Sequence, residues 1–421
     1  MKLKSCKKIA YGRCETPENT VARLEAIIRK LYDYTLLEQQ VSEYLYWTAL
    51  FIDEQEFRSM GKGITAILSK AGALAEGAEW LTTLETGLLP GFVTSHQQKL
   101  ENPLRIEDLL SHIASATPPV IEKIKNQTCA HYWVDGSSLM TGETLKVPIE
   151  YVRRISGPSG VAAGNRIEEA IVHATNEVFE RRAHITVLKK KMILPTIDPG
   201  TIDNPILQAQ MEFVRSKGIE VYIKDMSFGG ALPCIGVYFL DPGIPEEFQF
   251  HHFFKVGASF SREDALIRCF TEYTQGRRAD EFIKARRDEQ ARVLNVDFRN
   301  LKSIGGDGDN FLSAFMFGMV PYDRADFLKA GDVVPFDKGD CFDDCLDDIE
   351  KARETCRALG KDYIVVDLTD PKIGFPVVQV IVPGYSDVLP YHPSSSRVLF
   401  KRVSQDDVLK AYDKARILEQ V

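Results

Sequence analysis

No stretch of the 421-residue chain approaches about 20 uninterrupted apolar residues, so no helical membrane span is expected. The start, Met-Lys-Leu-Lys-Ser-Cys-Lys-Lys, is basic, but no apolar core follows it as a secretory signal requires. The cytoplasm is therefore the expected compartment. No Cys-x-x-Cys pair occurs among the 8 scattered cysteines. Cys341 and Cys345 lie close together, yet no second pair or histidine cluster completes a zinc site, and ordinary reduced thiols are expected. An excess of positive charge is missing too. Acidic residues number 60 against 52 basic ones, a formal net charge of -8, which argues against nonspecific nucleic-acid binding. There is no GxxxxGK[ST] loop, no GxGxxG after a strand and no GxSxG, so P-loop, Rossmann and α/β-hydrolase sites are unsupported. The adjacent His251 and His252 fall in a strand-like run, where neighbours point to opposite faces and make poor joint metal ligands.

Hydrophobic residues make up 44% of the chain, enough for a sizeable core, and the length fits two to three domain-sized units. Helical spacing marks 17–33 after the candidate cap Thr16, then 65–84, 166–189, 204–217, 262–286 and 344–359, with a shorter helix near 106–114. Strands are expected at 44–52, 131–134, 145–152, 219–224, 234–240, 248–256, 363–368 and 377–382. No regular βαβ rhythm links them. The expected fold class is therefore α+β, with mixed sheets packed against helices.

One pattern recurs three times. The first copy is Gly61-Lys62-Gly63, then Ser69, then Glu76 and Glu79. The second is Ala163-Gly164-Asn165, then Ala170, then Glu177, Glu180 and Arg181. The third is Gly257-Ala258-Ser259, then Ala265 and Arg268, then Glu272, Gln275 and Arg277. Each reads as a small-residue turn followed by a helix whose small residue and acidic residues share one face. Two carboxylates one turn apart repel, and a divalent cation is the obvious compensation; magnesium takes one or two carboxylates together with waters and phosphates. A single ExxE on a helix is ordinarily a solvated face. At this level both that reading and a metal–nucleotide site stand.

The motifs resemble those of the YcaO family. Gly164-Asn165, Glu169 and Glu177-Val178-Phe179-Glu180-Arg181 match its AGNxxxEA…ExxER signature. The stretch from Gly61-Lys62-Gly63 to Glu79 is similar to its GKG…ExxE helix, and Ala265-Leu266, Arg268, Thr271-Glu272 and Gln275-Gly276-Arg277 are similar to its ALxR…TExxQGR helix. Further similarity lies at Asp225 to Gly230, at Ile381-Val382-Pro383-Gly384 and at Ser386-Asp387, so the resemblance runs from about Arg13 to Pro390. It implies one YcaO domain over 1–421, with a core at about 13–390 and a C-terminal extension, 391–421, ending in a helix. It also implies ATP and Mg2+ as cofactors, in a cleft lined by the Glu-rich helices. Carried over, Glu76, Glu79, Glu177, Glu180 and Glu272 would hold magnesium. Arg13, Thr20, Asn165, Glu169, Arg181, Arg268 and Glu272 would contact the nucleotide, and Arg13 and Arg268 would act in catalysis on the phosphate side.

The implied activity is activation of a backbone amide of a peptide or protein by O-phosphorylation. Trp80 stands where the family commonly has Arg, and Ala162 where it often has Ser. Azoline-forming members typically end in a PxPxP tail. This sequence ends Arg416-Ile417-Leu418-Glu419-Gln420-Val421, which turns the expectation toward thioamide formation or another sulfur-related modification. The alternative is a non-catalytic nucleotide-binding accessory factor for sulfur transfer or ribosomal-protein methylthiolation. The partners expected are a peptide or protein substrate, a separate protein delivering substrate or sulfur, and a second copy of the chain. Neither nucleic acid nor membrane is expected.

Overall fold

The computed structural model describes residues 1–9, 11–52, 57–83, 89, 91–113, 116–125, 131–244, 250–277, 318, 320 and 325–388. In chain order these carry α1 (Pro17–Leu31), β1 (Tyr34–Ser42), β2 (Leu45–Ile52), β3 (Phe57–Gly63), α2 (Ala66–Thr83), β4 (Val93–Ser95), α3 (Ile106–Leu110), α4 (Pro118–Lys125), β5 (His131–Ser138), β6 (Thr144–Val147), α5 (Ile149–Ser156), β7 (Val161–Ala163) and α6 (Ile167–Lys190). There follow β8 (Thr196–Ile197), α7 (Pro205–Ser216), β9 (Glu220–Asp225), β10 (Cys234–Leu240), β11 (His252–Ala258), α8 (Arg262–Thr274), α9 (Asp326–Lys329), β12 (Val333–Val334), α10 (Cys345–Ala358), β13 (Ile364–Asp367) and β14 (Val377–Ile381). The class is α+β, as expected. No described helix is long and apolar enough to cross a membrane. The expected C-terminal helix falls in 391–421, outside the described residues.

The chain divides into two compact units. The first comprises Met1–Cys14, Ala78–Val178 and Asp343–Val421; the second comprises Glu15–Gly77 and Phe179–Phe342. The first is built on a six-stranded sheet of order β4-β5-β13-β14-β7, with β6 paired to β5. Its central strands β13 and β14 are apolar throughout, apart from Gln379 and Asp367, because both faces are covered. The buried Tyr363 hydroxyl shares a 2.5 Å hydrogen bond with Thr175 of α6, tying that helix to the sheet.

The second unit holds a three-stranded sheet, β1-β2-β3, and a five-stranded one, β11-β10-β9-β8-β12. One core joins them. Val41, Leu45 and Trp47 pack with Leu207, Met211 and Val214 of α7 and with Phe239, Phe270 and Tyr273. Rings of Phe239 and Tyr273 stack at 4.0 Å. Helix α1 begins where Thr16 accepts the Asn19 N–H, with Pro17 in the first turn and Val21, Leu24 and Ile28 inward. Asn204 caps α7 in the same way, through Ile206 N–H and Leu207 N–H.

Three expectations are corrected. The strand expected over 145–152 stops at Val147, and a helix starts at Ile149. Pro148 between them has no N–H for a ladder and suits a helix start. The helix expected over 262–286 leaves helical geometry at Gln275, whose ψ is 127°, and Gly276 turns left-handed at φ 79°; 278–286 lie outside the described residues. The three small-residue stretches begin as strand ends rather than as free turns. Gly61 and Gly63 pair with Thr48 and Tyr46, Ala163 pairs with Val377, and Gly257 pairs with Ile235. In each copy the glycine lies directly under the helix that follows. A Cβ would fall 1.9 Å from Ser69 O at Gly61, 2.5 Å from Ala170 N at Gly164 and 2.1 Å from Ala265 O at Gly257. The small residue on the helix and the glycine in or just after the strand thus form one close backbone contact, made three times.

Lys224 of β9 is almost fully buried; its ammonium donates to Thr196 Oγ1 and to the Ala330 carbonyl, both at 2.6 Å. Burial pushes its pKa down to about 8. Between that value and the ordinary 10.5, the unfolded chain binds the proton and the folded chain does not, so stability rises with pH across this window. Wild type is expected to gain on the order of 2 kcal/mol relative to Lys224→Met between pH 7.5 and 10. Urea unfolding of both proteins at the two pH values measures the difference. A difference that does not change with pH contradicts the burial argument.

Candidate functional site

In the second unit the site begins on α8. Ser261 caps it, and Arg268 and Glu272, four apart, share a face. Both oxygens of the Glu272 carboxylate meet an ammonium. Lys62 Nζ of β3 lies 2.6 Å from Oε1, and Lys255 Nζ of β11 lies 3.1 Å from Oε2. Burial alone would raise the Glu272 pKa, but Lys62, Lys255 and Arg268 hold it well below the usual carboxylate range. The Arg268 guanidinium in turn lies 3.6 Å from Glu180 Oε2 of α6, a side chain that is itself buried. One turn further along α6, the buried His184 packs edge-on against Phe254 at 5.1 Å. Burial, with Lys255 and Arg181 nearby, pushes its pKa well down, so it stays neutral.

Residues from each of the three copies therefore meet within this unit: Lys62 of the first, Glu180 of the second, and Arg268 and Glu272 of the third. The first touches the third through Lys62 and Glu272, and the second touches the third through Glu180 and Arg268. Glu76 of α2 accepts the Met60 N–H at 3.0 Å, which turns its carboxylate toward β3. Thr20 is buried on α1 with its hydroxyl donating to Thr16 O at 2.9 Å, and Arg181 is half-buried on α6.

In the first unit a second group forms around the N-terminal turn of α6. Glu169 is buried and accepts the Cys14 N–H at 3.0 Å, the Cys14 thiol at 2.8 Å and the Asn165 amide at 3.3 Å. Arg13 lies 3.5 Å from its Oε1. Two helical turns on, Glu177 accepts the Gly160 N–H at 3.1 Å. Glu79 is half-buried on α2, one turn after Glu76. Ala162, where a serine was looked for, is buried in β7 opposite Val378. His251 and His252 keep separate partners, Ile244 O at 2.7 Å and the Tyr238 hydroxyl at 2.6 Å.

Hard carboxylate oxygens suit magnesium, and lysine and arginine tips suit a polyphosphate. Among the described residues no three carboxylate, histidine or cysteine groups lie close enough to hold a metal ion by themselves. The donor set thus fits magnesium held by one or two carboxylates with waters and phosphate oxygens, rather than an all-protein cage. Glu169, oriented by N–H, amide and thiol donors, pairs with the half-exposed Arg13 guanidinium at 3.5 Å. Glu272 meets two ammonium groups.

Arg268, Glu180 and Glu272 are legible in the sequence, but Lys255, which contacts the last of these, is not. Its only signal is one lysine in the otherwise apolar run His252-Phe253-Phe254-Lys255-Val256. Lys62 was visible only as the middle of Gly-Lys-Gly.

The sequence model described as YcaO cyclodehydratase, ATP- and Mg2+-binding, matches residues 60–386. The ribosomal protein S12 methylthiotransferase accessory factor YcaO of Escherichia coli is 24% identical over 257 residues, 59% of this chain and 39% of that protein. The chain spans less than two thirds of the length of the curated relatives it matches. Among solved structures, a heterocyclase in complex with substrate and cofactor shares the fold with a TM-score of 0.70 and 19% identity, over 91% of this chain and 54% of that one. YcaO from Methanopyrus kandleri, bound with AMPPCP and Mg2+, shares it with a TM-score of 0.61 and 18% identity, over 91% and 95%. The helices that bring Glu180, Arg268 and Glu272 together lie inside the matched segment. The chain belongs to the YcaO family, and its cofactors are ATP and Mg2+.

Proposed function

We propose that this chain activates a backbone amide of a peptide or protein by ATP-dependent O-phosphorylation, for thioamide formation or another sulfur-related modification. The observation that carries the reading is the cationic group Lys62, Lys255 and Arg268 gathered on Glu272 and Glu180. It suits a phosphoryl group better than it suits a metal alone. An amide oxygen is a poor leaving group, and phosphorylation makes its loss possible. Bound magnesium–ATP supplies the phosphoryl group. Arg268 and Lys62 stabilise charge on it, and Arg13 serves the same end in its own cluster. Glu76, Glu79, Glu177 and Glu180 serve as metal-side carboxylates; Asn165, Glu169, Thr20 and Arg181 orient the nucleotide. Glu272 positions the two lysines as well as serving the metal side. We place the activity in the cytoplasm, with a separate protein, and in some states a second copy of the chain, bringing substrate or sulfur.

A second reading is a nucleotide-binding accessory factor. The Escherichia coli relative's name favours it, as does Trp80 where an arginine was looked for. Steady-state ADP release separates the two. We expect slow turnover alone and acceleration with a candidate peptide and its partner, with the peptide gaining the mass of an oxygen-to-sulfur exchange. Rapid turnover independent of peptide would make the chain a plain ATPase. Nucleotide binding without turnover under any condition would favour the accessory factor.

A further inference from the structure

Three thiols, Cys6, Cys14 and Cys345, come together in the first unit from distant parts of the sequence. Cys6 and Cys345 face each other beside the Lys7–Asp344 bridge, where Cys345 N–H donates to Cys6 O at 3.0 Å. The Cys6 side chain lies beside both other thiols. Cys6 and Cys345 are buried, whereas Cys14 is half-buried and adjoins Arg13. The open end of this thiol chain points at a carboxylate. Cys14 Sγ–H donates to Glu169 Oε2 at 2.8 Å, and the Cys14 N–H donates to the same oxygen at 3.0 Å.

A reactive cysteine needs a depressed pKa and a cationic setting. Cys14 has the opposite: burial and the Glu169 carboxylate both push its thiol up. Burial likewise raises Cys6 and Cys345. These sulfurs remain S–H, which suits them to donate hydrogen bonds and not to attack. An uncharged donor also treats a carboxylate differently from an ammonium. Lys62 and Lys255 orient Glu272 and shield its charge; two donors from Cys14 orient Glu169 and leave its charge in place. Arg13, 3.5 Å away and 41% exposed, shields it only weakly.

We propose that Cys14 is a positioning residue for Glu169, so that this buried carboxylate is held in one orientation, its charge only weakly shielded, for the magnesium-bound nucleotide. The inference rests on the reading that Glu169 serves the nucleotide site. Calorimetric titration of the full chain with magnesium–ATP tests both when Cys14→Ala, Cys14→Ser and Glu169→Gln are run beside wild type. Circular dichroism and melting confirm that each is folded, and Cys14→Val, which keeps the volume without the donor, stands in if the alanine variant is not. Loss of one orienting hydrogen bond from a weak thiol donor is expected to weaken Kd about three- to ten-fold in Cys14→Ala, with Cys14→Ser restored to within about two-fold. Unchanged affinity in Cys14→Ala, with Glu169→Gln weakened, overturns the positioning role alone. A serine variant as weak as the alanine variant also overturns it, since a hydroxyl donor would then not suffice. Wild-type affinity in Glu169→Gln removes the nucleotide reading of Glu169 and the inference with it.

Discussion

Replacing Glu272 by glutamine is expected to destabilise the second unit by about 3–5 kcal/mol, the range found when one member of a buried ion pair is removed. Two ammonium groups share this carboxylate, at 2.6 and 3.1 Å, and the Lys255 side chain is only 13% exposed. The variant leaves both lysines facing a neutral amide that can accept from one side only. Their repulsion then acts on β3, β11 and α8 together. Because Glu272 sits among the cations proposed to grip phosphate, magnesium–ATP affinity falls in the same variant. Lys62→Met provides the contrast. It removes one ammonium, leaves Lys255 on the carboxylate, and costs less stability than Glu272→Gln while still weakening nucleotide binding. Chemical denaturation of the three proteins gives the comparison. Equal stability of Glu272→Gln and wild type would show that the cluster is not energetically coupled.

Gly61→Ala has the second large expected effect. Its new Cβ would lie 1.9 Å from Ser69 O, 2.1 Å from Ala73 N and 2.8 Å from Gly72 C. All three are backbone atoms of α2, so no side-chain rotation relieves the clash. Either β3 or α2 has to move, which exceeds the usual overpacking penalty of about 1–3 kcal/mol. Gly72 lies across the same contact. There a Cβ meets Gly61 Cα at 3.3 Å, a tight contact that a small shift accommodates. Alanine at a helix interior also recovers about 1 kcal/mol relative to glycine. Gly72→Ala is therefore expected to be near neutral, while Gly61→Ala is expected to be largely insoluble or to melt far below wild type. Melting curves of the two variants decide the point. If Gly61→Ala melts with wild type, the close strand–helix contact described for the three copies is wrong.

The helices were the legible part of this sequence. Thr16-Pro17 and Asn204-Pro205 announce their starts, and Gly218 and Gly360, at φ 75° and 63°, mark their ends. Apolar strands such as Cys234–Leu240 and Val377–Ile381 were equally plain. Strand β1 was not, because Glu38, Gln39 and Gln40 carry little strand propensity and the strand exists through its pairing with β2. Glycines misled for a related reason. In local terms Gly61 and Gly63 suggest a turn. In the fold they are strand residues kept small by the helix above them, a constraint set by tertiary packing. The acidic residues of the site were legible because three copies repeat one spacing. Lys255 and Cys14 were not, since each contacts a carboxylate on a different element, Glu272 and Glu169, and no local pattern records such a contact.

Magnesium–ATP binding is the most direct test of the central claim. The carboxylates Glu177 and Glu180 should bind the metal that lets a triphosphate approach them, since bringing a triphosphate against unshielded carboxylates is electrostatically unfavourable. Calorimetry of wild type is expected to show ATP binding with magnesium and its loss in chelator. Glu177→Gln and Glu180→Gln are each expected to weaken the magnesium-dependent binding while remaining folded, with Glu180→Gln melting lower because it loses its pair with Arg268. Undiminished ATP affinity in chelator would contradict the claim, as would loss of folding in both variants, because these carboxylates would then be structural rather than ligands of the metal.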